Sequence, residues 1–279
     1  MSEFKNCFQN DQAAGLRRIM AAPKPRVVSI ISASSTQDQP RMMTNLAASI
    51  RSQGCEVLIV HASKISREAS YEIDKMPTLF DVADKTAALA DAIKKSSHGW
   101  SAAKILHKMQ VNIPLDNDAG IALNHIFNAL ARKYEIVLVD ATLNDDYLLP
   151  LKALNESEIL IQLTRNPESI KDAYTLIKQI CSQLGRRSFG IIVDDATEAQ
   201  AQVVFKNIAQ VARQFMEIEL EFFGAIPKDD HLTKAAKLGR SVIDAFPMAS
   251  ASTALKQIAQ RLDYKHSTYA ADNKRASFI

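Results

Sequence analysis

The stretch from Val27 to Ala47 constrains the fold more than any other part of the chain. It opens with Val27-Val28-Ser29-Ile30-Ile31-Ser32, an apolar, β-branched run suited to a parallel strand buried on both faces. It closes with Arg41-Met42-Met43-Thr44-Asn45-Leu46-Ala47, which reads as a helix with Pro40 in its first turn, where the missing N–H costs nothing. Such a strand–loop–helix unit holds phosphate when glycines let the backbone approach and a Lys and a Ser/Thr supply charge and a Mg²⁺ ligand. The loop here, Ala33-Ser34-Ser35-Thr36-Gln37-Asp38-Gln39-Pro40, has no Gly and no Lys. Asp38 adds negative charge, and Pro40 removes a helix-terminal donor. The scaffold of an anion-binding loop is present without its chemistry.

The same alternation continues along the chain. Strands are expected at Val27–Ile31, Glu56–Val60, Glu135–Val139, Glu158–Thr164, Phe189–Val193 and Leu220–Ile226, with a further one at Trp100–Leu106. Helices are expected near 41–53, 84–95, 116–132, 168–184, 197–216, 229–238 and 250–262. Apolar strands separated by amphipathic helices predict an α/β fold with a doubly wound, mainly parallel sheet. This domain spans residues 26–262. Ahead of it, residues 1–25 form a polar leader that turns helical from about Asn10, with Leu16, Ile19 and Met20 on one face, and ends in the Pro23-Lys24-Pro25 hinge. Residues 263–279 form a polar tail.

Composition removes several function classes. A net charge of +3 with mixed signs gives no nucleic-acid signature. Cys7, Cys55 and Cys181 make no CxxC or zinc spacing, and the latter two read as small buried hydrophobes. No basic start followed by an apolar core marks a signal peptide, and no apolar run approaches the roughly 20 residues of a spanning helix, so a cytoplasmic protein is expected. Asp140, without a second ligand, reads as a locally paired carboxylate rather than a metal site. His61 reads as a hydrogen-bonded loop residue, and Ser34 and Ser35 have no His–acid partner for nucleophilic chemistry. No metal or cofactor is expected.

Several strings in order carry a family resemblance. Asp11-Gln12-Ala13-Ala14-Gly15-Leu16-Arg17 matches a DQAxxLR motif, Asn45-Leu46-Ala47 an NLA, and Val137-Leu138-Val139-Asp140 a Walker B strand. Pro167 to Tyr174 matches PTSITDAY; Gly224 to Asp229 matches GxVPxD; Val242 to Pro247 matches VVDAYP. The chain resembles, over about residues 11–262, the FlhG (FleN) family of MinD/ParA-like flagellar-number regulators. The resemblance implies a P-loop fold carrying an N-terminal partner-binding helix. That helix would stimulate an FlhF-like, signal-recognition-type GTPase, with Gln12 entering the partner's catalytic site and Asp11 and Arg17 fixing its placement; Ala13 and Leu16 complete the contact set. Further candidate partners are flagellar switch-complex or regulator proteins, which would recruit the chain to the inner membrane face, its own membrane contact being weak or absent.

The departures from the family bear on chemistry. Against the family's SGKGGVGKT, Ser32 to Pro40 aligns without gaps, placing Ser34 at the signature Lys, Gln39 at the phosphate Lys and Pro40 at the Mg²⁺-binding Thr. The DxD that orders metal and water becomes His61-Ala62-Ser63, and the adenine-facing Asn region becomes Asp194-Asp195; Asp140 remains. Phosphoryl transfer depends on positioned positive charge and metal. The expectation is a silent, FlhG-like regulator. The alternatives are a MinD-like ATPase cycling between cytosol and membrane, whose nucleotide clamp requires the Lys replaced by Ser34, and a scaffold in another polar-localisation or secretion system.

Overall fold

The computed structural model of the protein describes residues 25–34, 38–63, 71–107 and 118–262. Its elements are β1 (Arg26–Ser32), α1 (Asp38–Ser52), β2 (Val57–Ala62), α2 (Leu79–Ala83), β3 (Lys94–Lys95), β4 (Ser101–Lys104), α3 (Asp118–Ala131), β5 (Ile136–Ala141), a 3₁₀ turn (Lys152–Glu156), β6 (Glu158–Thr164), α4 (Pro167–Leu184), β7 (Phe189–Asp194), α5 (Glu198–Met216), β8 (Leu220–Ile226), α6 (Asp230–Lys237), α7 (Val242–Ala245) and α8 (Ser250–Leu262). One sheet runs β3-β4-β2-β5-β1-β6-β7-β8, parallel throughout except for the β3–β4 pair. The expected doubly wound fold is therefore present. The leader motif, including Asp11, Gln12, Ala13, Leu16 and Arg17, and the tail 263–279 lie outside the described residues.

Strand periodicity divides the core into two layers. Ile31, Val60, Val139 and Ile161 face one side, under α3, α4 and α5 through Phe127, Ile177 and Ile208. Val28, Ile30, Ile59 and Leu138 face the other, under α1 and α8 through Met43, Leu46, Leu255 and Ile258. Because β1, β5 and β6 are covered on both sides, their sequences read as continuous apolar runs. In β7, Gly190 is required by close packing: a Cβ there would lie 2.2 Å from Leu160 Cδ2. At the sheet's lower edge, Arg26 donates to both Glu158 oxygens (2.8 and 3.0 Å) and to the Arg261 carbonyl (2.8 Å). The start of β1 is thereby tied to the end of α8.

The helix expected at 84–95 is absent. Helix α2 opens earlier, at a capping box between Thr78 and Asp81, and stops at Ala83. The Asp81 carbonyl then accepts from the Thr86 N–H (2.9 Å), the Thr86 hydroxyl (3.0 Å) and the Ala87 N–H (3.2 Å). Lys85 takes a positive φ of 60°. A Thr side chain that competes for a carbonyl ends a helix in this way, despite the alanine-rich sequence that follows. Lys94–Lys95 then pairs antiparallel with β4, which is the strand expected at Trp100–Leu106, shortened to four residues. The final helix covers the sheet with Ala251, Leu255, Ile258 and Leu262 buried. Cys55 is buried, but Cys181 is only half-buried; burial raises its thiol pKa.

Candidate functional site

Connections leave β1 toward β2 on one side and, after β5, resume at β6 on the other, so strand order reverses beside β1. A crevice at the strand C-termini of such a reversal is where open α/β sheets bind ligands. The sequence candidates Ser34, Gln39, Pro40, His61, Ser63, Asp140 and Asp194 all map to this edge, at the ends of β1, β2, β5 and β7 or at the start of α1. In register, His61 and Ile30 both lie opposite Asp140, and Thr164 lies opposite Asp194.

Gln39 is 1% exposed and donates from Nε2 to the Ile30 carbonyl (2.9 Å). The side chain that aligns with a phosphate-binding Lys is thus folded onto the strand beneath it. Pro40, the third residue of α1, sits in the first turn, where no intrahelical N–H is needed. Ser34 closes a local turn with Ser32, its N–H donating to Ser32 Oγ (3.2 Å). Ser63 follows β2 directly and is half-buried.

Asp140 is fully buried. His61 Nδ1 lies 2.9 Å from Asp140 Oδ2, and the Tyr71 hydroxyl donates to the same oxygen at 3.0 Å. A buried carboxylate needs such partners to offset desolvation. Tyr71 also reaches Met43 Sδ in α1 (3.6 Å) and its ring lies 5.7 Å from that of His61. Beside them Lys104 is 1% exposed, opposite His61 in register, and donates to the Asp74 carbonyl (2.9 Å). Farther along the edge, Gln162 donates to Asp194.

Sequence reading missed Tyr71, Lys104 and Gln162. Lys104 and Gln162 were signalled: each is a polar residue inside an otherwise apolar or small-residue strand, and polar groups there need a buried partner. Tyr71 lies in a connection with no periodicity to mark it.

These residues do not fit a magnesium nucleotide. Gln39 is bonded to Ile30 and carries no charge, Pro40 offers no hydroxyl, and Asp140 is hydrogen-bonded to His61 and Tyr71. The buried side-chain atoms that lack a hydrogen-bond partner among the described residues include His61 Nε2 and Gln162 Oε1 at this edge. Neither supplies the fixed cation that a triphosphate requires. The crevice past β6 holds cavities of about 370 and 200 Å³, whose lining carboxylates, Glu168, Asp172, Asp194, Asp195, Asp229 and Asp230, outnumber Arg41, Arg165 and Lys228. Among the described residues no cluster of three or more metal-ligating side chains occurs. No helix among them is long and apolar enough to cross a membrane.

No family model matches the chain. Its sequence is 25% identical over 243 residues to the antiactivator FleN of Pseudomonas aeruginosa, covering 85% of this chain and 86% of FleN. It is 26% identical over 262 residues to an uncharacterized ATP-binding protein of Methanocaldococcus jannaschii, covering 90% and 93% of the two chains. Among solved structures it matches MinD of the MinC:MinD cell division complex from Aquifex aeolicus, with a TM-score of 0.63 at 19% identity, covering 85% of this chain and 95% of that one. A ParA family ATPase from Chlorobium tepidum gives a TM-score of 0.62 at 18% identity, covering 86% and 99%. The chain is thus similar in sequence to FleN and has the fold of the MinD/ParA-like α/β proteins, in line with the FlhG/FleN resemblance of its motifs.

Proposed function

We propose that the protein is a non-catalytic FleN-type regulator of flagellar placement or number, acting through protein contacts rather than an ATP cycle. The observation that carries this reading is the hydrogen bonding of Asp140 to His61 and Tyr71, above a Gln39 folded onto Ile30. Where ATP hydrolysis needs metal, ordered water and positioned positive charge, this edge holds side chains bonded to one another and to the backbone. The second reading, a MinD-like ATPase, draws on the ATP-binding relative and the MinD and ParA folds. The Asp140 network and the missing lysines weigh against it.

The activity belongs, in this reading, to the leader. Stimulation of an FlhF-like GTPase in trans requires a group that orders water or stabilises charge in the partner's site. Gln12 both donates and accepts hydrogen bonds, which suits it to ordering a water. Leu16 would anchor the helix, its burial contributing about 1.5–3 kcal/mol. The test is GTP turnover by a cognate FlhF-like GTPase with the full chain added. Gln12→Ala should lower the stimulated rate more than it weakens binding, and Leu16→Ala should do the reverse. Normal stimulation by Gln12→Ala, together with full activity of a chain beginning at Pro25, would show that the leader is not the effector. Light scattering should find the same oligomeric state with and without ATP; an ATP-dependent dimer would favour the ATPase reading.

A further inference from the structure

A cavity of about 340 Å³ opens beside the crevice, between the first turns of α1, the turn joining β3 to β4, and the α6–α7 junction. Arg41, His98 and Arg240 line it, one from each of these three segments, together with Thr44, Asn45 and Trp100. We propose that this cavity binds a phosphate-class oxyanion between Arg41 and Arg240, either as a free ion or as a phosphoryl group carried by a partner.

The site is built rather than incidental in its frame. Asn45 is buried and joins the walls: its Nδ2 donates to the Arg41 carbonyl (2.8 Å) and its Oδ1 accepts the Val242 N–H (2.7 Å). Ser241 caps α7 by accepting the Asp244 N–H (3.2 Å) and donates to Asp244 Oδ2 (2.5 Å). The walls are thus held in place before any ligand arrives, which lowers the ordering cost of binding. The Arg240 backbone N–H donates to the Ala235 carbonyl (3.0 Å), and its guanidinium is anchored by one bond from Nη2 to the Asp244 carbonyl (3.0 Å). Asp244, the carboxylate at the rim, is directed to Ser241 and lies 3.8 Å from His98 Nδ1. Guanidinium groups pair with phosphate through forked, charge-assisted hydrogen bonds, and the charge of two of them matches a dianion better than a single carboxylate. The walls include Pro40 and share Arg41 with the crevice, but they exclude Gln39, His61 and Asp140.

The chain's single tryptophan, Trp100, lines the cavity and reports on it. The full chain is titrated with inorganic phosphate, and separately with a phosphoserine peptide, at ionic strength held constant with sodium chloride. A saturable change in Trp100 fluorescence is expected. Arg240→Ala should weaken it by about tenfold or more, and Arg240→Lys by less, because an ammonium keeps the charge but loses the fork. Saturation by phosphate alone assigns the site to the free ion; saturation only by the peptide assigns it to a partner-borne group. Arg41→Ala, a change on a different helix, should reproduce the Arg240→Ala loss. If neither ligand saturates, or if Arg41→Ala and Arg240→Ala both titrate like the unmodified chain, the proposal is overturned.

Discussion

Asp140 and Asp229 stand at the same edge of the sheet, and their surroundings differ in kind. Asp140 is fully buried and bonded by His61, from β2, and by Tyr71, from the connection that follows it. Asp229 follows β8 and is bonded at both oxygens by the ends of two helices. It accepts the His231 N–H (2.9 Å) and the His231 ring (2.7 Å) at the start of α6, and the Ser250 hydroxyl (2.8 Å) and Ala251 N–H (3.0 Å) at the start of α8. Burial alone would raise its pKa; the Ala251 and His231 N–H groups, with Ser250 and the His231 ring, outweigh this and hold it well below the usual carboxylate range. Asp229 is a structural clamp at helix N-termini, where negative charge is favoured. Asp140 is a buried acceptor shared by two side chains from different segments. A carboxylate that matches a family motif therefore reveals its role only through its neighbours.

The comparison is broken most directly at Asp140. Asp140→Ala leaves the buried His61 and Tyr71 without their shared acceptor and should cost about 3 kcal/mol in denaturant unfolding. A loss below about 1 kcal/mol would mean that the network contributes little to stability. Asp229→Ala should cost about 2 kcal/mol, the loss of a cap shared by two helices.

Asp229 also predicts an acid limb. Its folded-state carboxyl titrates below the unfolded value, so between the two the unfolded chain binds more protons. Its contribution is present above about pH 4 and lost as pH falls toward the folded value. Thermal unfolding followed downward from neutral pH should show this decline, flattened in Asp229→Asn. Tyr71→Phe is the smallest change, about 1 kcal/mol, because it removes one donor and leaves His61 on Asp140. It should not create Mg-ATP binding; if it does, Tyr71 is a gate rather than part of a fixed network.

Most of the fold could be read from the sequence because strand burial leaves a plain apolar signal: Ile136–Ala141 and Glu158–Thr164 are legible by themselves. The failure at 84–95 came from a side-chain competition at Asp81 that alanine content conceals. At the candidate site, the residue types at 34, 39, 40, 61 and 63 were enough to raise the expectation of a silent site. The bonds these side chains share were not legible, since Tyr71 reaches Asp140 across 69 positions of sequence and Lys104 reaches Asp74 across 30. Long-range partners of a buried polar residue are set by tertiary packing, which local pattern does not encode.

The central claim is that the P-loop scaffold persists while nucleotide chemistry has been replaced by internal hydrogen bonds. Calorimetric titration of the full chain with Mg-ATP tests it, with Gln39→Lys measured alongside. The account predicts no micromolar binding and no hydrolysis in either protein, because a single restored Lys still meets Pro40, His61 and a hydrogen-bonded Asp140. Micromolar, magnesium-dependent binding by the unmodified chain, with ATP turnover above a heat-killed control, would contradict it.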